Sequence, residues 1–187
     1  MDSVNLTNHF LIAMPAMQDS SFSGTLTYVC KHDENGALGV VVNRPMGLTL
    51  DNLLSQIDIP SSHAPRLEQP VYFGGPVQTD RGFVLHSPVG NWRSTLRIND
   101  FVGLTTSRDI LEDLAQGQES SRRILVSLGY AGWEAGQLEH EIALNSWLTV
   151  EARMDVMFDT PAEQRLTTAL SILGIDPAHL SDVAGHA

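Results

Sequence analysis

Residues 71–88, with the sequence VYFGGPVQTDRGFVLHSP, contain the densest group of side chains that could do chemistry. Asp80, Arg81 and His86 place an acid, a base and a titratable imidazole within seven positions. The imidazole makes His86 the candidate for acid–base catalysis, because histidine titrates close to neutral pH. Ser87 does not complete a nucleophilic dyad, since neighbouring residues on a strand point to opposite faces of the sheet.

The loop Gly74-Gly75-Pro76 lies between the two apolar runs of this stretch. Backbone N–H groups with little side chain around them could bind an anion. The same residues also suit a tight turn, and the chain lacks the G-x-x-x-x-G-K-[ST] pattern of a phosphate-binding loop. The pattern therefore favours a turn over a phosphate cradle.

Asn43-Arg44-Pro45 ends the apolar run of residues 37–43. A strand that ends in this way places an amide and a guanidinium at the edge of a sheet, where ligands often bind. The planar fork of Arg44 suits a carboxylate or a phosphate. Alternatively, Asn43 completes the turn and Arg44 pairs with a surface acid, and both interpretations stay open.

Metal-site and helix patterns are weaker. Cys30 and His32 fall on one face of a strand, but a zinc site needs three or four ligands, so we expect no metal and a buried structural cysteine. His140-Glu141 fails the H-E-x-x-H pattern because Leu144 occupies the second histidine position. Gln137, Glu141 and Asn145 are spaced by four, so they line one helical stripe that either borders a pocket or faces solvent.

Composition limits the partners. The 187 residues include 11 basic and 22 acidic side chains, for a net charge of −11, and Lys31 is the only lysine. Such a chain repels a phosphate backbone, so we do not expect direct binding to nucleic acid. The single cysteine, the lack of a signal-peptide pattern and the absence of a long apolar run predict a cytoplasmic protein without a membrane span.

Turn signals divide the chain into short elements of both kinds. Asp33-Glu34-Asn35-Gly36 predicts a hairpin turn between its two flanking strands. Predicted strands cover residues 6–14, 25–32, 37–43, 71–73, 82–86, 94–98, 101–105 and 122–128, with a further extended piece at 154–158. Predicted helices cover 49–57, 107–116 and 134–148, and a fourth starts at the capping box Thr160-Pro161-Ala162-Glu163 and ends at Gly174. This irregular mixture indicates one α+β domain over residues 1–187, with a short polar tail from about residue 175.

The chain resembles the AlgH/YqgE-type family of bacterial proteins along nearly its whole length. The resemblance is carried by the order of many motifs: residues 9–15 (HFLIAMP), the Tyr28, Cys30, His32 strand, 39–45 (GVVVNRP), 74–77 (GGPV), 81–86 (RGFVLH), 105–111 (TTSRDIL), 129–133 (GYAGW), 136–139 (GQLE), Asn145, Trp147, Leu148 and the closing 185–187 (GHA). It implies a mixed, bifurcated, partly barrel-like sheet flanked by helices. It names no reaction.

Members of that family are often labelled transcriptional regulators, but this chain has no helix-turn-helix signature, so regulation through a protein or a small ligand is expected. The preferred hypothesis is a non-enzymatic regulatory protein that binds a protein or a small anionic ligand without a cofactor. Alternatives are an enzyme that uses His86 on a small anionic substrate held by Arg44 or Arg81, and binding of nucleic acid by a local arginine face. The expected binding residues are Asn43, Arg44, Gly74, Gly75, Pro76, Arg81, Tyr130, Trp133, Gln137 and Glu141.

Overall fold

The fold is built on one curled sheet, as seen in a computed structural model that describes residues 4–15, 17, 19–61, 65–118 and 122–178. Within these residues the sheet has ten strands, paired in the order β10-β1-β2-β3-β9-β6-β8-β7, with β5 and β4 branching from β9. The strands are β1 (His9–Ala13), β2 (Leu26–Asp33), β3 (Gly36–Val41), β4 (Pro45–Thr49), β5 (Pro70–Phe73), β6 (Val77–Ser87), β7 (Thr95–Arg97), β8 (Gly103–Thr105), β9 (Arg123–Glu134) and β10 (Trp147–Glu151). Every pair is antiparallel except β5 with β9.

The sheet forks along β9, which confirms the bifurcated architecture. One edge of β9 pairs with β6, while the other edge pairs first with β5, at Ser127 and Leu128, and then with β3. Gly74 lies at the fork, where its N–H donates to Leu128 O and its carbonyl accepts from Val41 N, both at 2.8 Å. The two branches therefore separate at a single residue.

Helices cover both faces of this sheet. The α-helices are α1 (Leu50–Gln56), α2 (Arg108–Ala115), α3 (Gln137–Ala143) and α4 (Ala162–Ile172), with a π-helical turn at Asp155–Asp159. One face carries a core shared by both halves of the sheet and closed by α4 and the π-helical turn, with Phe10, Tyr28, Leu85 and Leu125 among its members. On the opposite face, α1 and α2 cover one half of the sheet. A third core, around Trp133 and Trp147, covers the other half.

Several sequence predictions are confirmed. The hairpin of β2 and β3, the two short strands β7 and β8, and helices α1 and α2 occur where the pattern placed them. Thr49 is the residue that caps α1, because its side chain accepts from Asn52 N. Among the described residues, no helix is long and apolar enough to cross a membrane.

The region from residue 122 to residue 151 differs from the prediction. β9 runs through Gly129–Trp133 instead of stopping before it, and the predicted helix 134–148 shrinks to α3, followed by β10. Gly129 has φ +81° inside the strand, which glycine alone adopts at little cost. Asn145, at φ +59°, turns the chain away from helix just before β10.

Near the carboxyl end, two further predictions are wrong. The extended piece at 154–158 is the π-helical turn, and Thr160 does not form a capping box because its hydroxyl donates to Asp155 O. Pro161 occupies the N-cap position of α4 without a side-chain cap. Gly174 ends that helix as expected, at φ +73°. The tail beyond residue 178, including the 185–187 motif, lies outside the described residues.

Candidate functional site

The predicted glycine loop is a place where two backbones touch. A Cβ on Gly75 would lie 2.1 Å from the carbonyl carbon of Tyr130, and one on Gly129 would lie 2.2 Å from Gly75 O. Gly74 and Gly75 are buried, whereas Pro76 is exposed. The amide of Gly74 is already used by Leu128, so this loop packs against β9 and does not present its Gly74 N–H to an anion.

Asn43 and Arg44 hold the loop of residues 19–24. The Asn43 side chain accepts from Leu26 N at 2.9 Å and donates to Gly24 O at 3.1 Å. The Arg44 guanidinium donates to the carbonyls of Ser20 at 3.2 Å and Ser21 at 3.1 Å, and also to that of Ser23. Backbone pairing places Arg44 beside the glycine loop, but its guanidinium is directed to carbonyl oxygens of its own chain.

Arg81 and Tyr130 form a small separate patch. The exposed Arg81 guanidinium donates to Gln78 Oε1 at 3.2 Å and Thr106 Oγ1 at 3.3 Å, and it lies 5.7 Å from the ring centre of Phe83. The rings of Phe83 and Tyr130 are 5.2 Å apart. The patch is therefore a cation–aromatic contact on the surface near the fork.

His86 is fully buried. Its Nδ1 lies 3.0 Å from Pro88 O, its Nε2 lies 2.7 Å from Thr105 Oγ1, and the Trp92 ring packs against it edge-on at 4.8 Å. A substrate could reach this ring only if the surrounding residues moved. The geometry is that of a structural histidine and gives no support to the predicted acid–base role.

Trp133, Gln137 and Glu141 do come together, on the opposite side of the sheet from α4. Glu141 Oε1 lies 3.4 Å from Nε1 of both Trp133 and Trp147, and its Oε2 lies 3.4 Å from Gln137 Nε2. The two indole rings meet edge-on with their centres 6.0 Å apart. Phe22 packs against both, at 6.2 Å from Trp133 and 5.5 Å from Trp147.

A histidine–carboxylate pair lies beside this group. His32 Nδ1 accepts from Leu6 N at 3.0 Å, which places the proton of the neutral ring on Nε2, where it is donated to Glu139. Partial burial raises the pKa of Glu139. Hydrogen bonds from its own backbone and from His32, together with attraction to His32, lower the pKa by more, so the net pKa is below the ordinary value. The pair borders a cleft of about 350 Å³, whose lining residues are Val4, Asn5, His32, Asp33, Glu34, Gly136 and Glu139.

The sequence prediction missed this pair because it placed His32 on the same strand face as Cys30. A bulge between Val29 and Lys31 breaks the alternation of β2. Cys30 consequently joins the core with Tyr28, while His32 contacts Leu6 and α3. Among the residues that the structure describes, no three or more His, Cys, Asp or Glu side chains are placed to hold a metal ion.

Several carboxylates lie on the surface around this cleft. We call this surface the hairpin–helix face, made of the turn between β2 and β3 and of α3 with its N-terminal approach. Five acids belong to it: Asp33, Glu34, Glu134, Glu139 and Glu141. A second groove, of about 220 Å³, lies across the turn and is lined by Lys31, Asp33, Asn35, Gly36, Ala37, Leu38 and Trp133. Lys31 forms an ion pair with Asp33 at 3.8 Å. The face therefore carries a concentrated negative charge.

The curled, forked, mostly antiparallel sheet with helices on both faces defines an α+β protein of the half-barrel type. Comparison with known proteins identifies the family: the chain belongs to the AlgH-like family, whose model matches residues 10–178. A UPF0301 protein of Nitrosospira multiformis is 59% identical over 187 residues, and one of Dechloromonas aromatica is 58% identical over 187 residues, each match covering 100% of both chains.

Two solved structures share the fold. The solution structure of the AlgH protein of Pseudomonas aeruginosa superposes with a TM-score of 0.81 at 45% identity, over 97% of this chain and 95% of that one. The crystal structure of a Corynebacterium diphtheriae protein superposes with a TM-score of 0.68 over 96% of this chain and 92% of that chain, and at 17% identity it shows the fold alone. The names of these proteins state no reaction and no ligand.

Proposed function

We propose that this chain is a non-enzymatic binding protein of the cytoplasm that regulates other processes through a protein partner, and that the partner docks on the hairpin–helix face. The observation that carries the proposal is the grouping of five acids on the hairpin–helix face, three of which, Asp33, Glu34 and Glu139, line its clefts, on a chain of net charge −11. A partner segment rich in lysine or arginine complements this face. A transcriptional effect would then be indirect, since the face repels nucleic acid.

The contacts of the two arginines that were expected to hold a small anion favour a protein partner over an anionic ligand. Arg44 is occupied by three carbonyl groups, and Arg81 is bound to neutral oxygens at the surface. An enzyme is the weaker hypothesis, because its candidate base, His86, is buried with both ring nitrogens in hydrogen-bond contact. The carboxylates of the hairpin–helix face are hydrogen-bond acceptors, so this face favours a partner that presents donors.

Affinity capture with a matched pair of variants tests the proposal. Glu34→Gln with Glu134→Gln removes two charges from the hairpin–helix face, and Glu68→Gln with Glu163→Gln removes two from exposed positions elsewhere. We expect partners to be depleted by the first variant, retained by the second, and released from the wild type by raised salt. Partner profiles that are identical for all three proteins would refute docking on this face.

A further inference from the structure

The third core has a thin helical cover. In α3, which covers it, only Leu138 is fully buried, and among the described residues Met17, Phe22, Ala37 and Ile142 are partly buried against this core. Phe22 contacts both indole rings. The core on the same face of the sheet, over its other half, is covered by α1 and α2. The buried residues of these two helices are Leu50, Leu53, Leu54, Ile110, Leu111, Leu114 and Ala115. Local opening is cheapest where few apolar contacts must break, so the cover of the third core opens more readily than that of its neighbour.

Residues 19–24, which we call the strap, form a self-contained turn. Asp19 accepts from the backbone of Ser21, Phe22 and Ser23 at 2.8, 3.0 and 2.9 Å. The strap is tied to the body by side chains at four points: the guanidinium of Arg44, the amide of Asn43, the ring of Phe22, and the hydroxyl of Thr25, which donates to Phe22 O at 2.6 Å. When these ties break, the strap can leave as a unit and keep the hydrogen bonds to Asp19.

Beneath Phe22 lie the components of a site for an organic cation. The two indoles offer electron-rich faces, and Glu141 places a carboxylate against both indole nitrogens. The contacts of this carboxylate are long, at 3.4 Å, so it retains acceptor capacity for a stronger donor. Glu134 and Glu139 add negative charge on the same face.

We propose that the strap is a lid, and that Phe22 occupies the place which an arginine side chain of the partner takes when the lid opens. Arginine fits this place because its planar guanidinium stacks on an indole while its N–H groups bind a carboxylate in pairs. The inference rests on the proposed function for its partner, a protein with basic residues, but the lid itself is a property of this chain. Closure multiplies the apparent affinity for arginine by the fraction of molecules that are open.

Binding of N-acetylarginine amide tests the lid, with N-acetylcitrulline amide as its uncharged counterpart. Trp92 is replaced by phenylalanine in every protein, so that fluorescence reports on Trp133 and Trp147 alone. We expect Phe22→Ala to bind the arginine compound about tenfold more tightly than the parent, as for a lid closed about 90% of the time. Glu141→Gln should abolish this binding, and the citrulline compound should not bind.

Arg44→Gln provides a second way to release the strap, with the Phe22 ring intact. This variant should also bind the arginine compound more tightly than the parent, so the test of the lid does not depend on the folding of one variant. Affinities equal to that of the parent in both strap variants, or equal binding of the two compounds, would overturn the proposal. Because the probe is a small molecule, its binding can succeed while partner capture fails, which separates this inference from the proposed function.

Discussion

Glu139 on α3 accepts a hydrogen bond from Nε2 of His32, 107 positions earlier in the chain. The other ring nitrogen of the same histidine accepts from the backbone of Leu6. One buried imidazole thus joins the amino-terminal segment, the central hairpin and α3 at the edge of the cleft.

Glu139→Gln should weaken the fold in a pH-dependent way. The pKa of Glu139 is lowered in the folded protein, so its carboxylate stabilises the fold above the ordinary glutamate pKa, and this contribution is lost as the pH falls through the lowered value. The side chain is 45% exposed, so we expect a contribution of about 0.5 kcal/mol at neutral pH, which vanishes below the lowered pKa. Urea unfolding across pH measures it, with Glu163→Gln as a control for loss of one surface charge. A gap that widens as the pH falls would contradict the assignment.

Gly75→Ala should prevent or severely weaken folding. The new methyl group would lie 2.1 Å from backbone of Tyr130, at a φ of +154° that other residues rarely adopt. We expect a loss of more than about 3 kcal/mol in the free energy of unfolding. Gly47→Ala is the matched control, because nothing lies within 4 Å of its Cβ position, and it should change stability by less than about 0.5 kcal/mol. Similar losses in the two variants would contradict the view that close backbone contact at the fork requires glycine at position 75.

Arg165→Ala should cost far more than removal of a surface arginine. Arg165 is 6% exposed, donates to Val42 O at 2.6 Å and Thr160 O at 2.9 Å, and lies over the Tyr72 ring. Its loss leaves buried Val42 O without this donor and opens a cavity, for about 3 kcal/mol. Arg108→Ala, which breaks an exposed ion pair with Glu112, should cost about 0.5 kcal/mol or less. Thermal unfolding compares the two, and equal shifts in Tm would refute the difference.

Cys30 should resist alkylation while the protein is folded. Burial raises the pKa of its thiol, which keeps it protonated at neutral pH, and only 1% of the residue is exposed. Because it is the single cysteine, intact mass after iodoacetamide treatment gives an unambiguous reading. We expect no adduct in buffer and complete labelling in urea; rapid labelling of the native protein would show that the core around Tyr28 opens easily.

Local patterns were sufficient wherever one segment decides its own structure. The turn at 33–36 defined the hairpin, and Thr49 with its leucine spacing defined α1. The same kind of reading failed between residues 122 and 151, because the strand state of Gly129–Trp133 depends on two partners distant in sequence, β3 and β6. Gly129 packs against Gly75 at the fork and Trp133 belongs to the third core. The local spacing of residues predicts neither of these tertiary contacts.

The candidate site shows the same division. Sequence alone determined the family resemblance, the α+β class, the acidic charge and the placement of Gln137 and Glu141 on one helical stripe, since helix periodicity acts over a few residues. Only the tertiary structure decided that His86 is buried, that Arg44 holds the strap, and that His32 meets Glu139. These outcomes depend on which distant surfaces desolvate one another, and a β-bulge of one residue is enough to move a side chain to the other face of the sheet.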